Sequence, residues 1–311
     1  MSDSMIPQIP KTAAEGIVKY LGNETAAFLQ QAEARLKKYT KLWQLSRLSF
    51  MPTDTVNLLF ECESAMHGPC VLKLCIPGPV AMTEINFLLT YNGHGYVKMW
   101  EHDFTDNIML LERVTPGHQM WAVTCYKERA RLMAMLIKNL PFIECKQGDY
   151  PSYKDLLVGV NKNIIAMDGT KEAQFYLNEA LRIYHELKQK YQRTCLLHGD
   201  MHPENLLQNS QDGYTIIDPQ GRADDPVMET ARFLMNEVTG DAEKIHEIAS
   251  IIEPIIGIPK ADILKSMYID AAFMCLSTFE EYFTTQEAFE SAKIEALETC
   301  RFVYGLLING D

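Results

Sequence analysis

The residues able to do chemistry are concentrated in Leu196-Leu197-His198-Gly199-Asp200-Met201-His202-Pro203-Glu204-Asn205-Leu206-Leu207, followed by Ile216-Ile217-Asp218-Pro219-Gln220-Gly221. An apolar run delivers a polar loop carrying a carboxylate, Asp200. Asn205 comes next, and a second carboxylate, Asp218, follows another apolar run. Leu206 to Asp218 reads as a hairpin around Asn209-Ser210-Gln211-Asp212-Gly213. With the turn centred between Gln211 and Asp212, Asn205 lies opposite Asp218, and opposite residues keep their Cβ atoms about 5 Å apart. A two-residue Asp212-Gly213 turn would shift that pairing. A hard cation such as Mg²⁺ takes oxygen ligands, which an Asn carbonyl and an Asp carboxylate supply. A cation beside a carboxylate that can accept a hydroxyl proton is the equipment of phosphoryl transfer. The bland alternative makes Asp200 and Asp218 turn-capping carboxylates. His198 and His202 stand four apart, but no HExxH is present and Pro203 argues against the helix a zinc pair would need.

Upstream residues supply the parts a nucleotide requires. Val71-Leu72-Lys73-Leu74 puts a lysine inside an apolar strand, and facing inward it needs a counter-charge. Glu84, on the helix that follows, is the candidate. Lys73–Glu84 then matches the lysine–glutamate pair that binds the α- and β-phosphates in kinases. Met109-Leu110-Leu111-Glu112-Arg113-Val114 reads as a strand entering a link whose backbone could pair with an adenine edge. The order lysine, glutamate, link, Asp200, Asn205, Asp218 is the protein-kinase order. His198 is expected to be structural, hydrogen-bonding within the loop.

With these residues in hand, the chain resembles the aminoglycoside/hydroxyurea phosphotransferases, which include streptomycin 6-kinases. They fall within the aminoglycoside phosphotransferase and choline kinase group. The HGDxHxxN and IDPxG motifs match at 198–205 and 217–221, the LLLERLxPG link resembles 110–117, and the VLKV strand resembles 71–74. The resemblance covers about residues 15–240. It implies a protein-kinase-like fold, ATP and Mg²⁺ as cofactors, and a small-molecule hydroxyl as acceptor, an aminoglycoside among the candidates. It implies Asp200 as the catalytic base, Asn205 and Asp218 as Mg²⁺ ligands, and Lys73 with Glu84 on the phosphates. The Glu112 carbonyl and Val114 amide would meet adenine. The phosphate-covering loop, expected near residues 50–55, lacks glycine, so the hydroxyls of Thr53 and Thr55 or a turn of backbone N–H groups would serve. The family's GDPxxDxA pattern reads Asp225-Pro226-Val227-Met228-Glu229-Thr230-Ala231 here, with Glu229 in place of Asp.

The elements that must position these residues show in the hydrophobic pattern. Residues 12–45 have helical periodicity, with Asn23 as a candidate cap and Glu24 in the first turn. Val56–Cys62 and Cys70–Ile76 read as antiparallel strands around a His67-Gly68-Pro69 turn. Val80–Tyr91 reads as a helix, and Tyr96–Trp100 and Ile108–Leu111 as further strands. Ala122–Leu140 and Lys171–Tyr191 are amphipathic helices, and helices dominate from Pro226 onward. The expected class is α+β with two lobes: an antiparallel sheet lobe over 1–111, a link at 112–117, and a mainly helical lobe over 118–311.

The chain has 311 residues, with 29 Lys+Arg against 41 Asp+Glu and a formal charge of −12. That balance argues against nucleic acid or an anionic membrane as partner and suits a cationic acceptor. No stretch reads as a membrane span or secretory signal. The eight scattered cysteines form no CxxC, so reduced thiols in the cytoplasm are expected. The acidic run Glu280, Glu281, Glu287, Glu290, Glu295 and Glu298 reads as a solvated helix face or a wall for a cationic acceptor. Tyr268, Phe273, Phe279, Tyr282 and Phe283 read as core. The alternatives are another acceptor (choline, a sugar, a fructosamine or homoserine) or a nucleotide-binding pseudokinase. Oligomeric state leaves no mark in the sequence.

Overall fold

The computed structural model describes residues 7–10, 13, 17–18, 21–52, 57–165, 170–238, 240–280 and 285–308. The chain forms two compact units, Met1–Gly117 with Gln208–Ile217, and His118–Leu207 with Asp218–Asp311.

The first unit is built on helix α1 (Thr25–Leu42) and a five-stranded antiparallel sheet. Its strands are β1 (Leu45–Met51), β2 (Leu58–Ser64), β3 (Gly68–Leu74), β4 (Met99–Asp103) and β5 (Ile108–Glu112), in spatial order β1-β2-β3-β5-β4. The β2–β3 register sets Phe60 opposite Leu72 and Cys62 opposite Cys70. These side chains share one sheet face with Leu58 and Leu74, because side chains alternate along a strand. Phe28, Ala32, Leu36 and Tyr39, spaced to line one side of α1, belong to the same core cluster. Each such large side chain, fully buried, contributes roughly 1.5–3 kcal/mol. Tyr39 also donates its hydroxyl to Asp106 Oδ2 at 2.7 Å, tying α1 to the β4–β5 turn.

The alternation that buries Leu72 and Leu74 sends Lys73 to the opposite face. Helix α2 (Pro79–Tyr91) runs nearby, with Pro79 in its first turn and Asn92 ending it in the left-handed conformation at φ 44°. The strand and helix expectations here hold to within a few residues. Asn23 is different: Gly22–Glu24 forms a 3₁₀ turn, which moves the N-cap of α1 to Glu24. Strand β1 is also additional, coming where the sequence shows only a change of texture.

The second unit is mainly helical: α3 (Tyr126–Asn139), α4 (Tyr153–Ile165), α5 (Lys171–Lys190), α6 (Ala231–Asn236), α7 (Ala242–Ile256), α8 (Lys260–Ser277) and α9 (Gln286–Ile308). Helix α8 is covered on all sides, with Ile263, Met267, Tyr268, Ile269, Asp270, Ala271 and Ala272 all buried. Tyr268 and Phe279 are core, as expected. Glu287, Glu290, Glu295 and Glu298 are solvent-exposed, whereas Glu281, Tyr282 and Phe283 lie outside the described residues. All eight cysteines are free thiols. Among the described residues no helix is long and apolar enough to cross a membrane.

Candidate active site

In the second unit, strand β6 (Cys195–Leu197) is wholly buried and pairs antiparallel with β9 (Arg222–Asp224), Leu197 opposite Arg222. This ladder aligns the loop that leaves β6 with the segment that enters β9. The His198 carbonyl accepts the amides of Gln220 (2.9 Å) and Gly221 (3.1 Å), so the loop bearing Asp200 is tied to the segment bearing Asp218. His198 is completely buried, and its Nδ1 accepts the Asp200 amide at 3.1 Å. That is the structural role expected of it. Among the described residues no three His, Cys, Asp or Glu gather into a metal cluster.

Gly199 makes the corner at φ +75°. A Cβ there would stand 2.4 Å from Arg222 Cγ, so both the left-handed backbone and the close approach require glycine. Beyond it the Asp200 carbonyl accepts the His202 amide and Asn205 Nδ2, each at 3.0 Å. With its nitrogen so engaged, Asn205 has Oδ1 left as the atom that could face a metal ion. Asp218 is a non-glycine residue in the left-handed region, φ +59°, a conformation concentrated at functional sites.

Sequence reasoning missed two residues that hold the loop. Glu229, noted only as a departure from the family pattern, accepts the His198 amide at 2.9 Å and the Gly199 amide at 3.2 Å. Burial pushes its carboxyl up to about 7, against the pull of those two amides. The longer Glu side chain thus anchors the backbone of the Asp200 loop. Arg232, on α6, donates to Asp200 Oδ1 and makes a two-pronged ion pair with the fully buried Asp270. Neither could have been found from spacing, since the partners lie thirty or more residues apart. Burial pushes Asp200 up, but His202, the Arg232 guanidinium and His198 outweigh it and hold the carboxyl down to about 2. Asp200 is therefore ionised at any neutral pH.

The hairpin between the two motifs is present, with β7 (Leu206–Gln208) and β8 (Tyr214–Ile216) as its strands. Its turn is centred on Gln211, half a residue from expectation. The Asn209 amide donates to the Gly213 carbonyl at 2.9 Å, and Asn209 Oδ1 accepts the amides of Gln211 and Gly213. This side-chain mimic of a backbone turn outcompetes a two-residue Asp212-Gly213 turn, and it moves the mirror position of Asn205 from Asp218 to Ile217.

In the first unit Lys73 Nζ donates to both carboxylate oxygens of Glu84, at 2.7 and 2.8 Å. Both residues are buried. Glu112 sits opposite Cys70 at the end of β5, and its amide donates to Lys98 O at 2.8 Å. Burial raises the Glu112 carboxyl above its ordinary range. The link beyond it turns at Gly117, φ +77°, where a Cβ would come within 2.8 Å of the Val114 carbonyl. Thr53 and Thr55 lie outside the described residues.

Comparison with known proteins gives a consistent picture. The family described as aminoglycoside/hydroxyurea antibiotic resistance kinase matches residues 43–273. A streptomycin 6-kinase of Streptomyces glaucescens is 24% identical over 230 residues, spanning 73% of this chain and 74% of that protein. A hydroxyurea phosphotransferase of Kitasatospora aureofaciens is 24% identical over 236 residues, 74% of this chain and 69% of its own length. Among solved structures, an amicoumacin kinase in complex with AMP-PNP, Ca²⁺ and its ligand superposes with a TM-score of 0.66. It is 14% identical and covers 93% of this chain and 96% of its own, so it shares the kinase-like fold expected from the sequence.

Proposed function

Because this chain belongs to the aminoglycoside/hydroxyurea antibiotic resistance kinase family, we propose that it transfers the γ-phosphoryl group of ATP to a hydroxyl of a small molecule. One observation carries the reading. Asp200 keeps an ionised, still accessible carboxylate on a loop tied through the His198 carbonyl to the segment of Asp218. In this reading Asp200 receives the acceptor hydroxyl. A carboxylate held near 2 is a weak base. Phosphoryl transfer through a loose transition state needs little proton removal before the new O–P bond forms, so orientation is its main task.

Asn205 Oδ1 and the Asp218 carboxylate fit Mg²⁺, since both are hard oxygen donors on neighbouring loops. Held there, Mg²⁺ would supply positive charge to offset the negative charge of the phosphates. Lys73, oriented by Glu84, would contact the α- and β-phosphates, and the Glu112 carbonyl with the Val114 amide would meet the adenine edge. Thr53 and Thr55 remain the candidates for covering the phosphates. The streptomycin 6-kinase relatives and the net charge of −12 favour a cationic, hydroxyl-bearing antibiotic of the streptomycin type as acceptor.

An acceptor screen tests this. Streptomycin, other aminoglycosides, hydroxyurea, choline, a fructosamine, homoserine and simple sugars are each offered with Mg·ATP, and ADP release is recorded for the wild type and Asp200→Ala. At least one hydroxyl acceptor should stimulate ADP release, and Asp200→Ala should abolish that release while still binding nucleotide. Nucleotide binding without turnover on any acceptor would favour a pseudokinase. Full turnover in Asp200→Ala would remove Asp200 from the chemistry.

A further inference from the structure

Arg232 is an arginine that none of the motifs calls for, yet it touches the carboxylate on which the chemistry is read. Its Nε and Nη2 donate to Asp270 Oδ2 (2.8 Å) and Oδ1 (3.0 Å), a planar fork on a planar carboxylate. Its remaining arm, Nη1, donates to Asp200 Oδ1. One guanidinium is therefore shared between two carboxylates of different character. Asp270, on α8, is fully buried, while the Asp200 side chain stays 17% exposed. A single carboxylate would suffice to neutralise a buried arginine. The second contact thus calls for its own explanation.

The geometry divides the labour between the two Asp200 oxygens. Oδ1 is occupied by Arg232. Oδ2 stands 3.7 Å from His202 Nε2, at ion-pair rather than hydrogen-bond distance. Asp270 holds the guanidinium by two prongs on a helix surrounded by the core, so the third arm has a fixed direction. A lysine could not do the same, because a point charge on a flexible stem lacks the fork.

We propose that the Asp270–Arg232 pair is a positioning device for the reaction: it clamps Asp200 by Oδ1 so that Oδ2 is presented to the acceptor hydroxyl. The inference rests on the reading of Asp200 given above. Arg232 acts through Asp200 and is a positioning residue. The competing account is purely structural, with the pair serving only to fasten α6 to α8.

Two variants separate these accounts. Arg232→Lys keeps the charge and loses the fork. The double variant Arg232→Met/Asp270→Leu removes a buried ion pair together, a replacement that is often neutral for stability. Each is purified as the full chain and its melting temperature recorded. kcat and KM for ATP are measured with streptomycin as acceptor, and a crystal structure is determined. A misplaced reacting group costs on the order of 100-fold in rate. The expected result is therefore a kcat lowered about 30- to 100-fold in both variants, with KM for ATP within about threefold of wild type. The Asp200 carboxylate should be rotated from its wild-type position. A folded variant whose kcat stays within about threefold of wild type overturns the proposal. So does a crystal structure with Asp200 unmoved, which needs no acceptor to be active.

Asp200→Asn run in parallel keeps the two claims apart. If it retains full activity, the reading of Asp200 itself is wrong. If it is inactive while Arg232→Lys is normal, only the clamp is wrong.

Discussion

Replacing Glu229 by Gln should change the way stability depends on pH. The carboxyl has an ordinary value of 4.5 and burial raises it to about 7 in the folded protein. Below about 4.5 it is protonated in both folded and unfolded chains, and above about 7 it is ionised in both. Between those limits the folded chain binds more protons, so its stability falls as pH rises. A shift of about 2.5 pH units at about 1.4 kcal/mol per unit amounts to roughly 3 kcal/mol lost across the window. Gln stays neutral at every pH. It keeps one acceptor for the His198 or Gly199 amide and turns an NH₂ toward the other, at a pH-independent cost of about 1–3 kcal/mol. Near pH 4.5 the variant should therefore be less stable than wild type by that amount. By pH 8 the difference should vanish or reverse. Urea denaturation of both proteins at intervals from pH 4.5 to 8, subtracted one from the other, measures this. Asp200, held down to about 2, stays ionised throughout and cancels in the subtraction. A difference that stays constant from pH 4.5 to 8 would refute the reasoning, because Glu229 would then not be titrating in that window.

Two further outcomes follow from the same geometry. Lys73→Met removes the cation from the buried Glu84 carboxylate and should cost about 3–5 kcal/mol, whereas Lys73→Met with Glu84→Met should recover most of it. Chemical denaturation without nucleotide reads this directly, and a double variant no more stable than the single one would contradict it. Gly199→Ala combines a left-handed backbone, worth about 1–2 kcal/mol, with a Cβ 2.4 Å from Arg222 Cγ. It should lower the melting temperature and slow turnover by displacing Asp200, and wild-type values for both would show that the corner tolerates a side chain.

Much of the fold was legible because local patterns carry it. The alternation Leu58, Phe60, Cys62 and the run Cys70, Leu72, Leu74 mark a half-buried antiparallel pair. A lysine interrupting such a run already implies a partner on the other face, and Glu84 is that partner. The order of Asp200, Asn205 and Asp218 was readable because a loop, a hairpin and a second loop follow one another along the chain. Other features were hidden for identifiable reasons. The 3₁₀ turn at Gly22–Glu24 displaces a cap that composition assigns to Asn23. Helix α4 carries Gly159, Asn161 and Asn163, weak helix formers that only the packing of Tyr153, Leu157, Val160 and Ile164 overrides. The turn at Gln211 depends on the orientation of one Asn209 side chain, which composition does not specify.

The succession of residue types along the chain was enough to point to small-molecule phosphoryl transfer, because the groups proposed for it are local and their spacing is constrained by one strand, one loop and one hairpin. The charge state and orientation of those groups came only with folding. Glu229 reaches back to His198 and Gly199, and Arg232 bridges Asp200 to Asp270, across separations that leave no periodic trace. Burial and Coulomb forces act on distance in space, and neither can be evaluated until the helices have packed.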